Sequence, residues 1–280
     1  MESKLIVDSC VDFNEEVFTS NDEMERIPFN VIIDDEEIVD KDLDTSYLLS
    51  KMKASSSKIL TNCPSPNDFL NAYQKNKHNF VVTISAKLSG SYNSALTAKD
   101  IMQEDDESSD NFVHVFDSKS AAAGESLVAL KVKQLIEENL PISQIIETTN
   151  HYIANLKTLF VLESLDNLIK NGRISQMKGF IGSLLNIVPI MGSDGDGAIE
   201  LKTQVRGKRK SFDKLLAMIG EGNTDFKNTI LGITHVNAME KAQLLKEEIQ
   251  KLYNFKDIII FKSGGLSTVY ADNGGIVIAY

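Results

Sequence analysis

Residues 80–92 read FVVTISAKLSGSY. The apolar run Phe80 to Ile84 gives way to a loop of hydroxyls and glycine, Ser85 to Tyr92 (SAKLSGSY), and an amphipathic stretch from about Asn93 to Met102 follows. A short apolar run, a polar loop and a helical pattern make up the β-α unit of a parallel sheet. The same punctuation recurs on both sides. Ile59 to Thr61 runs into Thr61–Pro66 (TNCPSP), and Phe112 to Phe116 runs into Asp117–Gly124 (DSKSAAAG). Ser65-Pro66 followed by Asp68 reads as an N-cap, a proline at the first helical position and an acid in the first turn, so a helix is expected to start at Pro66. In an open parallel sheet the loops at the carboxyl ends of strands converge on one crevice, and the helices that follow aim unsatisfied N–H groups into it. Loops of this composition offer donors and almost no acid or base. They suit the holding of an anion or polar head group, not its cleavage.

Outward from these junctions, Lys4 to Asp8 adds a strand. Helices are expected over about Ala121–Asn139, which stops before Pro141, and about Ser143–Leu156. The acidic run Glu104 to Asp110 reads as a solvated loop. Near residue 156 the character changes. Strand-like Leu159–Glu163 precedes a short helix, the stop at Asn171-Gly172, and the apolar stretch Gly179–Gly192 (GFIGSLLNIVPIMG). Ala198–Val205 then follows the turn Ser193–Gly197, and an Asp-Gly pair between alternating apolar runs signals a hairpin. Ile230–Thr234 with a helix to Leu252, and Ile258–Lys262 with a terminal strand Ile276–Tyr280, complete a mixed sheet. The fold class is α/β, with a mainly parallel sheet in the first half and a mixed one in the second. Two domains are expected, residues 1–156 and 157–280.

Composition excludes several classes. The 280 residues are 42% hydrophobic and 25% charged, ordinary for a soluble globular protein, and the formal net charge of −11 works against a surface for nucleic-acid phosphates. The opening MESKLIVDSC contains only a short apolar run, Leu5 to Val7, so a cytoplasmic location is expected. The longest apolar stretch falls short of a membrane span and holds Ser183, Asn186 and Pro189. Two cysteines, Cys10 and Cys63, cannot build a disulfide framework or a four-ligand zinc site. Cys63 also fails as a phosphatase nucleophile, because Phe69 stands where that loop requires arginine. The turn at residues 193–197 fails the EF-hand frame, with Ile199 in the glycine position.

Enzymatic readings are weaker than binding ones. Ser89 before Gly90 superficially resembles a nucleophile elbow, but Lys87 occupies the position where a small residue is needed. Of His78, His114, His151 and His235, only His235 ends a strand and could act as a base. Asp8 and Asp12 lie four residues apart, not the two of aspartyl-phosphate enzymes, and read as turn and capping residues ahead of ligand contacts. No nucleotide-binding glycine fingerprint is met. What remains is a polar cradle beside Phe180, Ile181, Leu184, Leu185, Ile187, Val188, Ile190 and Met191, which form either plain core or the lining of a pocket for an apolar tail. Burying about fourteen methylenes at about 0.8 kcal/mol each would give roughly 11 kcal/mol gross, against about 1.5–3 kcal/mol for a hydrogen bond to a charged group. A tail would supply affinity and the hydroxyls orientation. The cluster Arg206, Lys208, Arg209 and Lys210 stands out in an acidic chain, as a solvated strand end or as a dock for an acidic partner or phosphate. Arg173 reads as a cap on helix carbonyls.

These residues, taken in order, resemble the DegV family, bacterial lipid-binding proteins that include the fatty-acid-binding subunits of fatty acid kinase. The matching segments are VDSCVDF at Val7, TNCPSP at Thr61, LSGSYNSA at Leu88, DSKSAAAG at Asp117, LDNLIKNGRIS at Leu165, LLNIVPI at Leu184, VRGKRKS at Val205 and ITHVNAMEKA at Ile233. The resemblance implies an N-terminal three-layer α/β/α domain, a C-terminal two-layer α/β domain, and a buried long-chain fatty acid as ligand with no cofactor and no metal. It places the carboxylate on Thr61 and Ser89, with backbone N–H groups at Gly90 and Ser91 as helpers. It implies that catalysis rests with a partner, a fatty acid kinase with a dihydroxyacetone-kinase-like domain, met near Arg206. One departure stands out. Where the family commonly has G-T-H-x-G-P-G, this chain has VYADNGG from Val269, so Ala271 replaces the histidine, and Tyr270 or Asp272 is left to compensate. The competing readings are a hydrolase or phosphotransferase using Ser89, and a lipid-sensing regulatory module that docks through VRGKRK.

Overall fold

The computed structural model describes residues 2–18, 24–75, 77–104, 112–174, 186–222 and 225–280. The acidic run beyond Glu104 and the first part of the apolar stretch, with Phe180, Ile181, Leu184 and Leu185, lie outside these residues.

The chain begins with β1 (Ser3–Asp8) and β2 (Met24–Ile27), then a hairpin of β3 (Asn30–Ile33) and β4 (Glu36–Val39), α1 (Thr45–Ala54), β5 (Leu60–Asn62) and α2 (Pro66–Ala72). It continues through β6 (His78–Thr83), α3 (Ser91–Glu104), β7 (Phe112–Asp117), α4 (Ala123–Glu137) and α5 (Ile142–Asn155). A four-stranded sheet in the order β2-β1-β6-β7 is parallel throughout. As expected, α2 opens at Pro66, where Ser65 and Asp68 form a reciprocal capping box. The second half holds β8 (Thr158–Val161), α6 (Asp166–Lys170), β9 (Ile187–Ser193), β10 (Ile199–Arg206), α7 (Lys208–Ile219), β11 (Ile230–His235), α8 (Met239–Leu252), β12 (Asp257–Lys262), α9 (Gly265–Ala271) and β13 (Ile276–Ala279). Its sheet runs β10-β9-β8-β13-β11-β12 and is mixed, only β11 and β12 pairing in parallel.

One expectation fails. The strand that leads into TNCPSP does not join the parallel sheet. Instead β5 pairs antiparallel with β3, completing a separate three-stranded sheet, β4-β3-β5. The partner comes from a hairpin whose turn residues Asp34 and Asp35 both take positive φ, 49° and 66°, the conformation that matches strand twist in a two-residue turn. No Asn-Gly or Asp-Gly pair announces it.

The centre of the molecule is α4. It packs on β1 and β6 of the first sheet and on β11 and β13 of the second, so the run Ala123–Leu130 is buried all round. A single apolar cluster therefore joins Leu5, Phe80 and Phe116 of one sheet to Phe261 and Ala279 of the other, through Leu127 and Val128. The approach is close enough that Gly232 on β11 has no room to spare. A Cβ there would lie 3.0 Å from Phe261 Cε2 and 3.2 Å from Leu127 Cγ. On the outer faces, α2 and α3 cover the parallel sheet and α7 and α8 cover the mixed one.

Truncating Leu127 removes contacts with both sheets at once. Leu127→Ala is expected to lower the unfolding free energy by about 2–5 kcal/mol, read as a shift in urea midpoint at unchanged slope.

Candidate functional site

The loops after β1, β6 and β7 meet at one end of the parallel sheet, but their backbone N–H groups do not point into an empty crevice as expected. Buried aspartates take them. Asp8, the last residue of β1, accepts from Cys10 N–H at 3.0 Å, from Ile84 N–H at 3.0 Å and from the Ser91 hydroxyl at 2.6 Å. This is the turn role read from the sequence. Asp117, the last residue of β7, accepts from Ala86 N–H at 3.1 Å and Lys119 N–H at 2.9 Å. Burial raises the Asp8 carboxyl against these lowering bonds, and behind it desolvation and the nearby Asp8 push Glu125 well above the usual carboxylate range.

A second set of carboxylates positions α9. Asp40 accepts from Gly265 N–H at 2.7 Å and Leu266 N–H at 2.9 Å. Asp12 accepts from Gly264 N–H at 2.7 Å and the Thr234 hydroxyl at 2.8 Å. Arg26 stands beside them, donating to Ser9 O at 2.7 Å with Nη2 3.9 Å from Asp40. Glycine is required at residue 265 because a Cβ would lie 2.6 Å from Asp40 Oδ1. Burial outweighs the lowering effect of its hydrogen bonds and pushes Asp12 up to about 6.

So fixed, α9 turns Tyr270 toward Thr61 on β5, their hydroxyl oxygens 2.8 Å apart. The Arg173 guanidinium sits 5.5 Å over the Tyr270 ring, donating from Nε to Leu88 O at 3.2 Å and from Nη1 to Asn171 O at 2.8 Å. Arg173 thus does more than cap a helix. Opposite, Ser89 Oγ accepts from Ser91 N–H at 3.2 Å, which leaves its own O–H to donate elsewhere.

Thr61, Ser89, Tyr270 and Arg173 border one cavity, whose far walls are Ile84, Phe160, Leu162, Leu168, Ile199 and Val277. The space open to the centre of a water-sized sphere is about 110 Å³, a thin channel where the wall atoms stand just beyond contact. No aspartate or glutamate among the described residues borders it. Cys10, Lys119 and Ala271 also line it, Ala271 bringing no polar side-chain atom.

The other expected residues lie elsewhere. Ser91 turns its hydroxyl to Asp8, and Gly90 faces Cys63, where a Cβ would stand 3.3 Å from Sγ. Neither borders the cavity. Ile190 is buried in the core under α7 and α8, and Ile187 lines a separate groove with Phe212 and Glu163. Successive strand residues face opposite sides, and on β9 it is Met191 that faces the cavity side, packed with Phe160 and Leu162. Asp272 takes φ 56° at the end of α9, and its Oδ1 accepts from Asn273 N–H, away from the channel. His235 opens on a different pocket, with Nδ1 accepting from Ala238 N–H at 3.2 Å, so Ser89 and His235 share no site. Arg206 and Arg209 are exposed at the β10–α7 junction, and Lys208 pairs with Glu163 at 2.6 Å. Among the described residues no cluster of metal-ligating side chains occurs, and no helix is long and apolar enough to cross a membrane.

The DegV family model matches residues 2–280. A DegV domain-containing protein of Streptococcus pneumoniae is 33% identical over 286 residues, covering 100% of this chain and 99% of its own. Among solved structures, a DegV family protein from Ruminococcus gnavus refined with vaccenic acid is similar at TM-score 0.93 and 37% identity, covering 100% of this chain and 99% of its own. The fatty acid kinase B3 protein of Streptococcus pneumoniae, loaded with linoleic acid, follows at TM-score 0.91 and 33% identity with the same coverage.

The raised Asp12 carboxyl has a measurable consequence. Because its folded value lies above the unfolded one near 3.8, the folded state binds the extra proton between about pH 4 and 6, and this group's contribution to stability falls as pH rises through that window. Asp12→Asn removes the effect while keeping an acceptor for Gly264 N–H. The unfolding free energy of the variant minus that of the wild type, measured by urea denaturation, is expected to rise from pH 4 to pH 6 and to level off above it.

Proposed function

This chain belongs to the DegV family, and on that premise we propose that it is a carrier that encloses a long-chain fatty acid, its carboxylate on Thr61 and Ser89 and its tail in the channel beside Phe160, Leu162 and Val277. The observation that carries this reading is the cavity itself. It is apolar along its length and carries hydroxyls and one guanidinium at one end, with no acid among the described lining. An ionised carboxylate accepts hydrogen bonds only, and an acyl chain has no polar atoms to satisfy, so one molecule matches both ends. The bound fatty acids of the similar Ruminococcus gnavus and Streptococcus pneumoniae structures support the same ligand class.

In this reading the protein performs no bond chemistry of its own. It works in the cytoplasm and presents the acid to a kinase, as the similarity to a fatty acid kinase B3 protein suggests. The exposed Arg206, Lys208 and Arg209 form the docking edge for an acidic partner surface. The missing histidine at Ala271 does not close the channel, since the alanine simply forms part of its wall.

Organic extraction of the purified protein, followed by mass spectrometry, is expected to release stoichiometric long-chain fatty acid. Thr61→Ala with Ser89→Ala is expected to reduce retention at least tenfold with the circular dichroism spectrum unchanged. Wild-type protein that yields no acyl ligand and takes none up would overturn the carrier; unchanged retention in the double variant would move the carboxylate away from these residues.

A further inference from the structure

Resting on the fatty-acid reading, one residue outside the Thr61 and Ser89 pair stands in the position of a head-group ligand. Tyr270 projects from α9 into the polar end of the channel, and its hydroxyl oxygen lies 2.8 Å from Thr61 Oγ1. Two hydroxyls so placed share one hydrogen between them, which leaves the other O–H of the pair without an acceptor. Ser89 is in the same condition, since its oxygen already accepts from Ser91 N–H and its proton has no acceptor among the described residues. Buried hydroxyl protons without acceptors are costly unless something takes them.

The ring of Tyr270 is not free to swing away. It packs with Leu168 and Phe160 on one side, with Val31 and Leu48 on another, and with Phe29 and Leu266 on a third. The helix that carries it is held at its start by Asp40 and Asp12, and the Arg173 guanidinium covers the ring face. The hydroxyl is therefore aimed before a ligand arrives, and little side-chain entropy remains to be lost on binding.

We propose that Tyr270 is a direct ligand of the fatty-acid head group, donating with Thr61 to one carboxylate oxygen while Ser89 serves the other, and that it makes the site selective for the ionised acid over neutral acyl esters. An ester offers weaker acceptors and no charge, so the same donors gain less from it.

The test uses the full chain, delipidated, with oleate and methyl oleate each displacing a fluorescent fatty acid. Tyr270→Phe keeps the ring and its packing and removes only the hydroxyl. The assignment expects affinity for oleate to fall about tenfold or more while affinity for methyl oleate changes less than twofold. Unchanged oleate affinity would overturn it, and so would an equal loss for acid and ester, which would make Tyr270 a wall of the channel and nothing more. Wild-type protein that binds neither probe would instead overturn the fatty-acid reading itself.

Discussion

Four buried or half-buried aspartates, Asp8, Asp12, Asp40 and Asp117, hold the backbone around the cavity, and the rest of the site follows from that constraint. Each accepts from N–H groups at the end of a strand or the start of a helix. Loops rich in glycine and serine at such positions would otherwise present free N–H groups, the makings of a phosphate or oxyanion cradle. Here the protein supplies the anions itself. The donors left for a ligand are side-chain hydroxyls and Arg173, which stand further apart than a nest of amides and suit an elongated molecule with a small charged tip.

Holding carboxylates inside a protein is costly unless each finds several donors or a cation. Asp40 meets both conditions, with two backbone N–H groups, the Ser9 hydroxyl and Arg26 at hand. Asp12 has fewer charges to lean on, and burial prevails. Glu125, the first-turn acid of α4, is wholly enclosed, and desolvation favours its neutral form. The acids nearest the channel thus divide into hydrogen-bonded carboxylates facing the backbone and a neutral acid facing none, and neither kind repels an incoming carboxylate from the channel wall.

Alternation of apolar runs and polar loops made the two sheets legible in the sequence, because that pattern is set by burial and period alone. The capping box at Ser65 and the hairpin at Ser193–Gly197 were legible for a similar reason, each resting on neighbours in sequence. The stretch from Met24 to Ala54 was not. Its strands have four residues each, and the Asp34-Asp35 turn lacks the glycine that usually marks such a hairpin, so β5 looked like one more parallel strand. On β9 the apolar run was visible, but the choice between Ile190 and Met191 as the cavity-side residue depends on register with β8, which no single strand discloses. Phe160 and Leu162, two apart on and just beyond β8, carried the alternation that could have identified them. Arg173 was visible as a charge without a destination, since its partner Tyr270 lies in another element.

The same topology explains why Thr61 and Ser89 can face one another at all. Ser89 belongs to the loop between β6 and α3, bound to the parallel sheet. Thr61 belongs to β5, and the small sheet carrying it packs through Val31 and Ile33 against Leu48 of α1 and Val269 of α9. The polar end of the channel is therefore a seam between two packed units, with Ser89 on one bank and the Thr61–Tyr270 pair on the other. A ligand oxygen that bridges the seam replaces hydrogen bonds neither bank can make to itself. Placing β5 outside the parallel sheet, the feature hardest to read from the sequence, is what creates a gap of the right polarity for the head group.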